Sequence, residues 1–236
     1  MADQAQRMAG LAAIGYLNYK DAIVYFTKLA NKPECPLPIR IQAAFAAGEA
    51  YMNRTDASAQ NRGHDLDDAI GWFSYITNYP ANAQAIRAMG RIGDCQKELM
   101  GIVPISSEHY DKARDAYQQV IVASNAPVDL RSQAKIGLGI VAEKQAALKT
   151  GSDQTNLLLV ARGHYQDVFY ENNLRDGEKS DPFSVKDAGI KAGRLFENLN
   201  DWLQAYCVYT NLATLFPSLR AELEPKISRA QKNMGQ

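Results

Sequence analysis

The stretch from Val185 to Pro217, VKDAGIKAGRLFENLNDWLQAYCVYTNLATLFP, constrains this chain most. Val185, Ala188, Ala192, Phe196 and Leu199 recur every three or four residues, and so do Trp202, Ala205, Tyr209, Leu212 and Phe216. Each set falls on one face of a helix. Asn200 and Asp201 supply a turn and an N-cap between the two, and Pro217 ends the second. The pattern predicts an antiparallel helical hairpin. A lone hairpin cannot bury both apolar faces, so it must stack on further copies of itself.

Four earlier stretches repeat the pattern. In the first, Gly10 and Ala13 precede Tyr19, Ala22, Phe26 and Leu29, and the prolines at 33, 36 and 38 make a stiff connector. The second has Gly48 and Tyr51, then Ala69, Phe73 and Ile76, closed by Tyr79-Pro80. Between its halves NRTDASAQNRGHDLD is polar and carries a Gly, which predicts a surface loop. The third has Gly90 and Gly93, then Ala113, Tyr117 and Val120. Gly101 and Pro104 break the chain between them, and Ser106 or Ser107 is the expected N-cap. The fourth opens at Pro127 and carries Gly137 and Ile140, then Ala161, Tyr165 and Val168. Residues 218–233 form a last amphipathic helix with Leu219, Leu223, Ile227 and Ala230 inward, Ser218 as N-cap, and Pro225 kinking it or delaying its start. The alanines at the heart of each second helix, Ala22, Ala69, Ala113, Ala161 and Ala205, are separated by 47, 44, 48 and 44 residues.

Gly193, Phe196, Trp202, Ala205, Tyr209, Leu212 and the closing Pro217 resemble a tetratricopeptide repeat. The usual period there is ~34 residues, so the surplus is assigned to loops and lengthened helices, although HEAT and armadillo repeats run ~40–47. The long helices and the Tyr-Pro closure are also similar to repeats of bacterial envelope proteins such as the outer-membrane assembly lipoprotein and the periplasmic Tol-Pal coordinator. The resemblance implies an all-α fold: an α-solenoid of about five antiparallel hairpins, units 3–36, 38–80, 82–124, 127–172 and 182–217, with a capping helix at 218–234. It implies one domain over 1–236, a right-handed superhelix, and a groove lined by the first helices that holds a peptide.

Charge narrows the partner. Lys plus Arg equals Asp plus Glu at 26 each, so no bulk attraction to nucleic acid or anionic membrane is expected. No apolar run approaches the ~20 residues of a membrane span, and the opening MADQAQRMAG does not read as a signal peptide. A complete chain is then expected in the cytoplasm, and a mature or excised segment in a bacterial envelope. Cys35, Cys95 and Cys207 are isolated, without a CxxC pair, and read as free thiols. His64, His109 and His164 each stand alone. No phosphate loop, HExxH, GxSxG or GxGxxG occurs. No catalytic residue, metal or cofactor is expected. Glu143-Lys144 and Asp67-Asp68 read as solvated helix faces.

Counting along each first helix from its packing glycine places Arg87, Arg91, Arg131, Arg194, Phe45, Glu49, Leu138 and Ile190 on the groove face. Arginine forks suit carboxylates. The alternative is that they pair with Glu49, Asp94 and Glu197 in neighbouring units. The leading expectation is a non-enzymatic scaffold for a partner peptide or protein carrying carboxylates beside an apolar anchor, with homo-oligomerisation left open. An enzyme built from loops 53–65, 101–106 and 172–182 is the second reading. A nucleic-acid-binding repeat is the third, disfavoured by zero net charge.

Overall fold

A computed structural model of the chain describes residues 2–55, 59–102 and 107–234. Among these residues it is all helix, without strands: α1 Ala2–Gly15, α2 Tyr19–Ala30, α3 Leu37–Asn53, α4 Ala59–Thr77, α5 Gln84–Leu99, α6 Ser107–Val122, α7 Val128–Ala146, α8 Gly151–Phe169, α9 Pro182–Asn198, α10 Trp202–Leu215 and α11 Arg220–Asn233, with a 3-10 turn at Pro217–Leu219 before the last. The helices group into two compact units, Met1–Ser124 and Asn125–Gln236. Within each unit every helix packs on its sequence neighbours, the stacking of an α-solenoid.

Local chemistry sets the hairpins. The α1–α2 and α9–α10 turns are built alike. Leu17 (φ 58°) and Asn200 (φ 56°) take the left-handed conformation. The next residue's N–H then reaches back to close the helix end, Asn18 N to Ala13 O at 2.8 Å and Asp201 N to Phe196 O at 2.9 Å. The same two residues cap the following helix, Asn18 accepting from Asp21 N and Asp201 from Gln204 N.

The seam inside each pair is a glycine against an aromatic ring. A Cβ at Gly10, Gly48, Gly93, Gly139 or Gly193 would sit 2.7, 2.6, 2.6, 2.4 or 2.4 Å from the ring of Phe26, Phe73, Tyr117, Tyr165 or Tyr209, so only glycine allows that approach. Four residues before each ring stands an alanine that is 0% exposed: Ala22, Ala69, Ala113, Ala161 and Ala205. Three residues after it come Leu29, Ile76, Val120, Val168 and Leu212, all buried.

Several expectations are corrected. The seam glycine of the fourth pair is Gly139, not Gly137, and that of the third is Gly93, since Gly90 meets no atom closer than Val120 Cγ2 at 3.9 Å. Residues 59–67, expected in a surface loop, open α4. Leu66, 0% exposed, extends the apolar row of Ala69, Phe73 and Ile76 upstream, and the buried Asp65 is held by Arg54 at 2.6 Å. Asn61, His64 and Asp67 are the wet side of the helix. Ser218 does not cap α11, because it lies in the 3-10 turn and Leu219 takes the cap position. Pro225 lies inside α11 and does not delay its start, while Leu223 and Ala230 anchor the helix. The expected Ser106 cap, and Pro104, lie outside the described residues.

Candidate functional site on the first helices

With the second-helix ring locked behind the glycine, the residues one and four positions beyond that glycine share one face of each first helix and form a row within each unit. They are Leu11 and Ile14, Glu49 and Met52, Asp94 and Lys97, Ile140 and Glu143, Arg194 and Glu197. All but the buried Glu197 are partly or fully exposed.

In the first unit the row is a chain of charges. Arg91 Nε donates to Glu49 at 2.6 Å and its Nη1 to Asp94 at 3.2 Å. Asp94 also accepts from Lys97 Nζ at 2.7 Å and from the Tyr117 hydroxyl at 2.8 Å. Burial pushes the Asp94 carboxyl up, but Lys97, Tyr117 and Arg91 together outweigh it and hold the group below the ordinary carboxylate range. Tyr117 is the mirror case: burial first, then Asp94, pushes its hydroxyl well up, so it stays a donor. Phe45 is partly buried and packs edge-on against Phe73, ring centres 5.5 Å apart. Arg87 is exposed on α5 and makes no hydrogen bond or ion pair with another described residue.

The second unit repeats the device. Glu143 accepts from the Tyr165 hydroxyl and from Arg194 Nη2, the latter at 3.1 Å. Arg229 of α11 pairs with Glu197 in the same way. Ile190 is partly buried against the core of this unit. Arg131 and Leu138 do not belong to this surface. Arg131 is 3% exposed, donates to Ala126 O at 2.6 Å and pairs with Glu178, while Leu138 is 5% exposed in the core. Both misplacements follow from counting from Gly137 instead of Gly139, a shift of two residues that turns a helix by more than half a circle.

The arginines therefore split. Arg91 and Arg194 are satisfied inside the repeat, Arg131 is buried, and Arg87 alone among the four presents a guanidinium without a described partner. Glu197, named among the acceptors for these arginines, is instead taken by Arg229. Glu143, read as a solvated face, is an acceptor of the row with only 18% of its side chain exposed. Counting four residues on from Gly139 would have found it.

The histidines do not converge. His64 is exposed on α4, His109 bonds Gln96 at 2.7 Å, and His164 is pushed down by burial and then by Lys135. Among the described residues no group of three or more His, Cys, Asp or Glu side chains could hold a metal ion. No described helix is long and apolar enough to cross a membrane.

No family model and no curated protein matches the chain. Among solved structures it is similar to BtubC (BKLC) from P. vanneervenii, with a TM-score of 0.53 over 89% of this chain and 78% of that one, at 10% sequence identity. At that identity the likeness is one of fold.

Proposed function

We propose that the chain is a non-enzymatic, tetratricopeptide-like scaffold that binds a partner protein or peptide on the first-helix faces. The observation that supports this most is the row beyond the seam glycines. Its charges are held in place by pairing with one another, Glu49–Arg91–Asp94–Lys97 in the first unit and Glu143–Arg194 in the second. A surface whose side chains are already ordered loses little entropy on binding. Arg87 supplies the open cation of the first unit, and the partly exposed Phe45 and Met52 supply apolar contact there. The partner of this face is a segment carrying a carboxylate beside an apolar anchor.

A peptide array of such segments, probed with wild type, Arg87→Ala and the Arg87→Ala/Arg91→Ala double variant, tests the reading. Capture of acidic peptides should fall with Arg87→Ala, and more so at low salt than at moderate salt, because salt screens the contribution of a rim charge to the on-rate. Equal capture by all three proteins at both salt concentrations refutes it. Circular dichroism of the double variant controls for loss of the Glu49 pair.

A further inference from the structure

The second helices form a place that the chain fills with its own ring in the first unit and leaves as an open groove in the second. Two residues after the seam ring of α4 stands Tyr75, partly buried against the core of that unit. The Arg40 guanidinium lies over the Tyr75 ring, 6.0 Å from its centre. The same Arg40 donates to Ala30 O at the end of α2 at 3.0 Å, so the ring lies beside that helix end. Tyr79, one turn further on, packs edge-on against Tyr75 with ring centres 5.5 Å apart.

On α10 the positions matching Tyr75 and Tyr79 are Asn211 and Leu215, two and six residues after the Tyr209 ring. With Thr214, and with Phe169 and Tyr170 at the end of α8, they line a groove of about 180 Å³. Its walls are held in place. Gly189 lets Phe169 press onto α9, where an added Cβ would stand 2.7 Å from that ring. Phe169 in turn backs the Tyr170 ring, 4.9 Å away and tilted by 60°. A cavity of about 150 Å³ holds a benzene ring, so this groove has room for one aromatic side chain, the bulk that Tyr75 supplies in the first unit. All five lining side chains are neutral, and α10 carries no charged residue at any of its 14 positions. The exposed Asn211 carboxamide makes no hydrogen bond with another described residue, so it offers a donor and an acceptor to a phenol hydroxyl.

We infer that the groove between the ends of α8 and α10 is a docking point for one tyrosine side chain of a partner protein, presented from an uncharged stretch. The internal precedent sets the ring, because a tyrosine two residues past the seam ring fills the corresponding place in the first unit. The uncharged α10 sets the flanks, because a charge laid against it would lose water without gaining a counter-ion. The groove is open on one side, which encloses a ring and leaves the partner's main chain outside. A free molecule of that size would stay half in water, unlike the ligands of ordinary small-molecule sites. The groove belongs to second helices, whereas Arg87 stands on a first helix of the other unit.

Cys207 gives a handle for the test. It is partly exposed and shares one face of α10 with Asn211 and Thr214, four and seven residues further on. Burial and then its thiol push the Tyr170 hydroxyl up, so thiol and ring are neighbours. The full chain is equilibrated with the disulfide of mercaptopropionyl-tyramine against excess mercaptoethanol, and the labelled fraction is read by intact mass. Exchange onto Cys207 should favour this reagent about tenfold over its isoamylamine and β-alanine counterparts. Asn211→Tyr should abolish the preference by putting the chain's own ring in the groove, and Thr214→Glu by charge alone. Both positions are exposed, so both variants should stay folded by circular dichroism. Equal labelling by the three reagents, or a preference that survives in either variant, overturns the inference. So does loss of the preference to micromolar p-cresol, which would give the groove to a free small molecule. A wild-type dimer in sedimentation that Asn211→Tyr abolishes would give it to a second copy and overturns it as well. Arg87→Ala should leave the labelling unchanged, so this groove and the capture of acidic peptides fail separately.

Discussion

Replacing Gly193 by alanine separates two effects that usually travel together. In the middle of a helix alanine is favoured over glycine by about 1 kcal/mol. At Gly193, however, the new Cβ would stand 2.4 Å from Tyr209 Cε1 and 2.7 Å from Cζ. The ring is 1% exposed and has no room to retreat, so overpacking should cost ~1–3 kcal/mol. The control is Gly163→Ala on the wet side of α8, where a Cβ meets nothing within 4 Å. Both variants share the propensity gain, so their difference reports the clash alone, about 1–3 kcal/mol. Urea denaturation followed by circular dichroism measures both: Gly163→Ala should gain stability and Gly193→Ala should lose it. Adding Tyr209→Leu should recover part of the loss, a non-additivity expected of residues in contact. If Gly193→Ala is as stable as Gly163→Ala, the glycine–ring seam is not what spaces the helices.

Three further outcomes follow from the same geometry. Ala205→Leu should lose ~1–3 kcal/mol in urea denaturation, because Ala205 is 0% exposed at the centre of the α9–α10 contact. Asp94 carries a lowered folded pKa, so its contribution is present above the unfolded value of 3.8 and is lost as pH falls through the folded one. Asp94→Asn should therefore be less stable than wild type at neutral pH and should flatten the acid limb of the stability curve below 3.8. With a chromogenic disulfide reagent, Cys207, which is partly exposed, should react in the native protein. The thiols of Cys35 and Cys95 are buried and pushed up by that burial, so they should react only on unfolding.

How much of this was legible in the chain itself divides along a physical line. The five hairpins, the second-helix order of alanine, aromatic ring and aliphatic residue, the Asp201 cap and the terminal helix α11 are short-range patterns. They depend on residues within two turns of each other, and the linear spacing carries them. Register between helices is not of that kind. In α7, Ile136, Gly137, Leu138 and Gly139 are consecutive and all buried, so no polar side marks which glycine meets Tyr165. Only the position of α8, set by its own packing, chooses Gly139. The fate of Arg131 likewise rested on Glu178, 47 residues away, whose loop returns to cover the start of α7. The beginning of α4 was hidden for the opposite reason. Its residues are polar because one side is wet, and composition alone cannot tell a wet helix from a loop until Leu66 is seen in the core. Periodicity along one helix is written in the chain, whereas which faces meet is decided where two helices compete for the same volume.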